Sequence, residues 1–142
     1  MFGGDRDRIR RYYCAVWRKV SAGQPLEPLE QLIAEVIGAH PEYQSLLQDA
    51  ESILSRDYWP ETGETNPFLH MGMHIALREQ LGSNRPEGIR AIYRQLLQRA
   101  GDAHAAEHLM LECLAETLWE AQRTSRAPDE RAFLKRLRRL AR

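Results

Sequence analysis

The chain has 142 residues, of which 43% are hydrophobic and 28% are charged, and its formal net charge is zero. This length and composition suit one globular domain that can bury a core without disulfides or a structural metal. They exclude a membrane-spanning protein, because no apolar run approaches the ~18 residues that a membrane helix needs. The charged N-terminal segment also lacks the apolar stretch of a secretory signal. We therefore expect a cytoplasmic protein made of one domain, residues 1–142.

The charges are unevenly distributed along the chain. Residues 1–20 hold six basic and two acidic side chains, residues 131–142 hold six basic and no acidic ones, and the remainder holds eight basic and eighteen acidic ones. Basic ends on an acidic body predict either solvated and paired surfaces or binding to RNA, the ribosome or an acidic protein. Cys14 and Cys113 match no CxxC spacing, so we expect neither a disulfide framework nor a thiolate zinc site.

Apolar residues recur with helical spacing in the first part of the chain. Residues 6–21 place them at intervals of three and four, which predicts a first helix that Gly23 can close. Pro28 suits the first turn of a second helix, which ends before His40 and Pro41. Short helical pieces are expected around residues 42–47 and 50–54, and residues 57–65 have the composition of a loop.

Local capping signals mark the helices of the second part. Asn66 is a good N-cap and Pro67 is suited to the first helical position, so a helix is predicted to start there and to run to about residue 81. Further helices are predicted over residues 86–100, 103–122 and 128–140, with Gly101 and Asp102 as a break and cap. Since no segment shows sustained strand alternation, the sequence predicts an all-α fold, a single compact bundle of about five to six helices.

The histidines are concentrated on two of these predicted helices. Side chains four residues apart lie on one helix face, so His70 and His74 project together from a helix that is apolar nearly all round. His104, His108 and Glu112 repeat that spacing on the helix over residues 103–122. A carboxylate in an apolar stripe is costly to desolvate unless a cation, a metal or a proton neutralises it.

This pattern predicts a metal site. Its candidate ligands offer nitrogen and carboxylate donors suited to zinc, iron or manganese: His70, His74, His108 and Glu112 first, and then His104, His40 and Glu116. If one coordination position stays open, the ion can activate water, and a closed shell makes it structural. Without an ion, the same side chains predict a buried hydrogen-bond network.

The sequence leaves the reaction open. It contains no Walker loop, dinucleotide fingerprint, GxSxG elbow or HExxH motif, so nucleotide hydrolysis, hydride transfer and serine or zinc-protease chemistry have no support. No nucleotide cofactor is expected. The competing interpretation is a non-enzymatic interaction module that binds RNA, the ribosome or an acidic protein through its basic termini.

Several segments carry a resemblance to a known family. They are HPEY (residues 40–43), NPFLHMGMH (66–74), EQ (79–80), RPEGIR (85–90) and HAAEHLMLECLAE (104–116). Together they resemble a family of small bacterial proteins catalogued as domain of unknown function 1841, over nearly the whole chain. The resemblance implies that these segments matter and implies no particular activity.

A second resemblance concerns the ligand pattern of hemerythrins, oxygen-carrying helical bundles with a di-iron centre. Those proteins use a lone His, an HxxxE, an HxxxH and an HxxxxD. His40, the His70/His74 pair and the His108/Glu112 pair are similar to parts of that order. No further helix supplies a second His and acid pair in the expected order, so a single divalent ion is at least as compatible with the pattern as two irons.

Overall fold

The computed structural model describes residues 2–48 and 66–142, and the regular secondary structure in them is helical. These ranges contain seven helices: α1 (Phe2–Ser21), α2 (Pro28–Gly38), α3 (Pro41–Gln48), α4 (Pro67–Ser83), α5 (Ile89–Ala100), α6 (Ala103–Thr124) and α7 (Glu130–Ala141). The predicted all-α fold is confirmed, and five to six helices was slightly too few. The predicted helical piece over residues 50–54 and the loop over residues 57–65 lie outside the described residues.

None of the helices in the described ranges combines the length and the apolarity that a membrane crossing requires. The chain divides into two compact units, Met1–Ile75 and Ala76–Arg142. Helices α1 to α3 and the beginning of α4 belong to the first unit, and the end of α4 and α5 to α7 belong to the second. The single domain over residues 1–142 stays a prediction.

The core of the first unit lies where α1, α2 and α3 pack against one another. Its buried members are apolar or aromatic side chains from four helices: Tyr13, Cys14, Val16, Ile33, Val36, Ile37, Leu47, Phe68, Met71 and Ile75. The Tyr13 and Phe68 rings stack with their centroids 6.0 Å apart. The guanidinium of Arg10, a residue only 2% exposed, lies 4.7 Å from the centroid of the Phe68 ring. One of the N-terminal basic residues is therefore part of the core.

A second basic residue of α1 is held at the junction with α2. Lys19 Nζ donates a hydrogen bond to Glu30 Oε2 at 2.7 Å, and Glu30 Oε1 accepts the backbone N–H of Glu27 at 2.9 Å. The Lys19 hydrogen bond, followed by the one from Glu27, lowers the pKa of Glu30, and the same Lys19–Glu30 bond raises the pKa of Lys19. Glu30 therefore caps α2 and joins it to α1.

Several predicted helix ends are set by the residues that the sequence indicated. Gly23 follows α1 with φ +69°, a left-handed conformation that costs glycine little. Asn66 Oδ1 accepts the N–H groups of Phe68 and Leu69 at 3.0 and 3.3 Å, which confirms the predicted N-cap of α4. Asp102 Oδ1 accepts the N–H of Ala105 at 2.8 Å and caps α6 as predicted.

Two predicted helix starts are wrong by two or three residues. Helix α5 begins at Ile89 rather than at residue 86, because Gly88 has φ +98° and cannot continue a right-handed helix. Helix α7 begins at Glu130 rather than at residue 128, because Asp129 is the N-cap and accepts the N–H groups of Arg131 and Ala132. In both cases the N-cap lies one or two residues after the proline that the sequence suggested.

In the second unit, α5, α6 and α7 pack against one another. Arg136 of α7 is held against α6, where it donates to Thr117 Oγ1 at 2.8 Å and pairs with Glu120 at 2.6 Å and Glu116 at 3.5 Å. Arg78, near the end of α4, pairs with Glu107 of α6 through Nε and Oε1 at 3.2 Å. These polar contacts join the helices around an apolar core that includes Leu96, Met110, Phe133 and Leu137.

Candidate metal centre

His40 occupies the corner between α2 and α3. Its N–H donates to the carbonyl of Ile37 at 3.0 Å, its carbonyl accepts the N–H of Tyr43 at 2.9 Å, and Pro41 begins α3. The ring Nδ1 lies 2.7 Å from the carbonyl oxygen of Val36. A carbonyl can only accept, so Nδ1 carries the proton and the lone pair of the neutral ring lies on Nε2. His40 is 4% exposed, so this lone pair lies inside the protein.

The spacing on α4 brings His70 and His74 together, as the sequence predicted. Their Nε2 atoms are 3.0 Å apart and their ring centroids 4.6 Å apart. His74 is fully buried and His70 half-buried. Although the sequence of α4 is apolar nearly all round, Leu69 is 63% exposed. The helix therefore has a solvent face next to a buried polar one.

His40, His70 and His74 form one group, here named the three-histidine cluster. The His40 centroid lies 4.6 Å from that of His74 and 5.5 Å from that of His70. Each residue offers a ring nitrogen within 4.8 Å of those of the other two. Ligand nitrogens at about 2.1 Å from one ion are about 3.0 to 3.4 Å apart for angles between 90° and 109°. The 3.0 Å separation within α4 already meets this requirement, and any separation to His40 above 3.4 Å has to shorten when an ion binds.

Tyr43 forms an aromatic wall beside the cluster. Its ring stacks on His40 with centroids 5.0 Å apart and planes 17° apart, and its centroid lies 6.2 Å from that of His70. Burial raises the pKa of Tyr43, with a smaller contribution from Glu42, so its hydroxyl stays protonated at neutral pH. No role for Tyr43 was predicted from the sequence, although this residue follows His40 by only three positions.

The remaining histidines lie in the second unit, on α6. His108 Nδ1 donates to the carbonyl of His104 at 3.0 Å, so the lone pair of its neutral ring also lies on Nε2. The two rings are 4.2 Å apart. His104 is exposed and His108 half-buried. The predicted pairing of these two rings on one helix face is therefore present, and His108 presents the better shielded nitrogen.

The expected burial of Glu112 is wrong. Glu112 and Glu116 are both exposed, and Glu116 lies 3.5 Å from Arg136. The desolvation argument for a metal or proton on Glu112 therefore does not apply. The buried carboxylate of α6 is instead Glu107, 6% exposed and paired with Arg78. Glu107 lies close to Met110 on the side of α6 that carries the strongest apolar stripe. That stripe could have identified Glu107 as the buried acid.

The described fold and cluster define an all-helical protein with a histidine-rich candidate metal centre. The chain belongs to the family described as Domain of unknown function (DUF1841), whose model matches residues 5–139. This confirms the resemblance found in the sequence. No curated protein and no solved structure matches the chain. The function therefore has to be argued from the chemistry of the site.

Proposed function

We propose that the protein binds one divalent metal ion through His40, His70 and His74. The observation that carries this proposal is the convergence of three imidazoles from two separate segments, with ring nitrogens within 4.8 Å of one another. The backbone contact of His40 resembles the outer contacts of known metal sites, where a ligating histidine donates its other N–H to a carbonyl or carboxylate. Such a contact fixes which nitrogen faces the ion.

The alternative is a hydrogen-bond network without an ion. In such a network one of the two Nε2 atoms of His70 and His74 must carry a proton to bond the other. A metal ion instead accepts all the lone pairs at once and needs no proton between the rings. Burial of His40 and His74 limits the access of water, which would otherwise compete with these nitrogens for the ion.

The donor set narrows the identity of the ion. Imidazole nitrogens suit zinc and iron, whereas magnesium and calcium require oxygen ligands. Of the predicted metals, manganese is the least favoured, because the cluster offers no carboxylate. Three histidines on a tetrahedral ion leave one position for water or substrate, which is the arrangement of catalytic zinc. The sequence prediction adds His108 as a fourth ligand, which gives a closed, structural shell, and this part stays a prediction.

The experiment is a titration of untagged, metal-stripped protein with Zn²⁺ by calorimetry and with Co²⁺ by visible absorption. Wild-type protein is expected to bind one ion per chain. His70→Gln keeps a polar group near the position of Nε2, and His40→Asn keeps an N–H that can reach the Val36 carbonyl, so both variants test ligation with little damage to the fold. Loss of a ligand is expected to weaken binding by more than about 100-fold, beyond the effect of an outer contact.

His104→Gln is the matched control, because it removes an exposed histidine that does not belong to the three-histidine cluster. It is expected to bind Zn²⁺ as the wild type does. The proposal is wrong if the folded wild-type protein binds no ion, or if His104→Gln weakens binding as much as His70→Gln. His108→Gln tests the fourth ligand separately: unchanged Co²⁺ absorption in that variant removes His108 from the site.

A further inference from the structure

The second unit carries a basic surface on α5 and α7. Helix α5 contains Arg90, Arg94 and Arg99 and no acid, and α7 contains Glu130 as its only acid against five basic residues, with Arg142 following. All of these cations except Arg136 are exposed. The acidic residues of this unit lie mostly on α6 and in the connections, so the positive charge is collected on two helices.

Exposed cations of α7 share one face of the helix. At 100° per residue, Arg131, Lys135, Arg138 and Arg139 fall within an arc of about 100°. Phe133 and Leu137 lie on the opposite side and are 2% and 0% exposed. Burial of the apolar side therefore fixes the orientation of α7 and turns the cationic arc, defined by these four residues, outward.

Contacts between α5 and α7 keep this surface together. Arg99 Nη1 donates to the carbonyl of Leu140 at 2.6 Å and also to that of Arg142. Arg138 Nη2 lies close to Gly88, the N-cap of α5, at 4.0 Å from the position that a Cβ atom would occupy on this glycine. The guanidinium of Arg99 thus offsets the partial negative charge at the C-terminus of α7. The carbonyls there then weaken the positive potential of the cationic arc less.

The N-terminal basic segment, residues 1–20, differs from this surface. Arg10 is buried against Phe68, and Lys19 is bound to Glu30. Among the exposed residues of α1, Ile9 is 50% exposed and Tyr12 39%, so its cations are mixed with apolar side chains. The basic residues of α1 are therefore partly engaged inside the first unit, whereas those of α7 are mostly exposed.

We propose that the cationic arc of α7 binds the phosphate backbone of a nucleic-acid duplex without reading its bases. Guanidinium groups match phosphate oxygens in charge and in geometry. The arc holds no aromatic side chain, and binding of single strands depends on aromatic stacking of bases. It also holds no apolar side chain, whereas a helix that binds a membrane surface inserts its apolar face. These features favour a duplex over a single strand or a membrane surface.

The test measures binding of fluorescein-labelled RNA and DNA duplexes of the same sequence by anisotropy, over a series of salt concentrations. With three of the arc's cations in contact, the logarithm of the affinity should fall with that of salt with a slope of about −2.7, or about 40-fold between 50 and 200 mM. The variant Arg131→Gln/Lys135→Gln/Arg139→Gln should remove most of that slope. The RNA and DNA arms show which duplex is preferred.

The matched control removes the same charge from the first unit, through Arg8→Gln/Arg11→Gln/Arg18→Gln, three exposed residues of α1. It should bind duplex with nearly the wild-type slope. Circular dichroism of both variants checks that the helices remain. Equal loss in the two variants, unchanged binding by the α7 variant, or binding to single strands or phosphatidylserine vesicles in preference to duplex overturns the proposal.

Discussion

The partly buried ion pair between Arg78 of α4 and Glu107 of α6 predicts coupling between two residues that are distant in sequence. Their side chains are 27% and 8% exposed, and Nε and Oε1 are 3.2 Å apart. At an effective dielectric constant of about 20, that separation corresponds to an attraction of about 5 kcal/mol before desolvation is subtracted. The net contribution of the pair is much smaller, because both ions lose hydration on burial.

The perturbation is a double-mutant cycle with Glu107→Leu, Arg78→Met and the double variant. Removing Glu107 leaves a guanidinium that is only partly hydrated, so the free energy of unfolding should fall by about 2 to 3 kcal/mol. Removing both charges leaves no buried ion, so the double variant should lose less than the sum of the single variants. The resulting coupling energy is expected at about 1 to 3 kcal/mol.

The assay is urea denaturation followed by circular dichroism, with the slope of the transition compared among all four proteins. Equal slopes allow the differences in midpoint to be converted to free energy. Additive losses in the double variant would show that the two side chains do not interact in the native state. The reasoning about this pair would then be refuted.

Three further predictions concern the first unit, the capping of α6 and the metal. Lys19→Met should destabilise the protein at neutral pH and much less near pH 3. Because Lys19 lowers the pKa of Glu30, the pair stabilises the fold above the usual carboxyl pKa, and this stabilisation is lost as the pH falls through the pKa of Glu30 in the folded protein. Equal differences in urea midpoint at both pH values would contradict this. Asp102→Ala should lower the free energy of unfolding by about 1 kcal/mol, and Asp102→Asn by clearly less, since asparagine also accepts at the N-cap. Zn²⁺ at 100 times its Kd should add about 2.7 kcal/mol and raise Tm by about 5 to 10 °C. His74→Gln should abolish the Zn²⁺-dependent rise in a thermal melt, and a rise of the same size in that variant would count against the cluster.

Much of the local structure could be predicted because its causes are local. Asn66 and Asp102 cap helices through side-chain oxygens that reach N–H groups two or three residues away. Gly23 ends α1 by its own backbone freedom. The contact of His70 with His74 has the same origin, because a four-residue separation on a helix brings two rings together wherever that helix lies.

The wrong predictions arose where two local capping signals competed, or where tertiary packing determined which helix face is buried. A proline at residue 86 or 128 can begin a helix, but Gly88 and Asp129 provide the caps that the structure uses. On α6, the stripe through His104, His108 and Glu112 competed with the apolar stripe that contains Met110. Glu112 lies about 160° around the helix from Met110, which is fully buried, so packing on Met110 leaves Glu112 in solvent.

The sequence by itself determined that the chain is helical, where several helices begin and end, and which histidines share a helix face. Those properties depend on hydrogen bonds and spacings within a few residues. Only the tertiary structure decided that His40, from the corner of α2 and α3, lies with His70 and His74, and that Glu107 rather than Glu112 is the buried acid of α6. Both outcomes depend on which helix faces pack together, and that choice minimises exposed apolar surface over the whole unit rather than along any one helix.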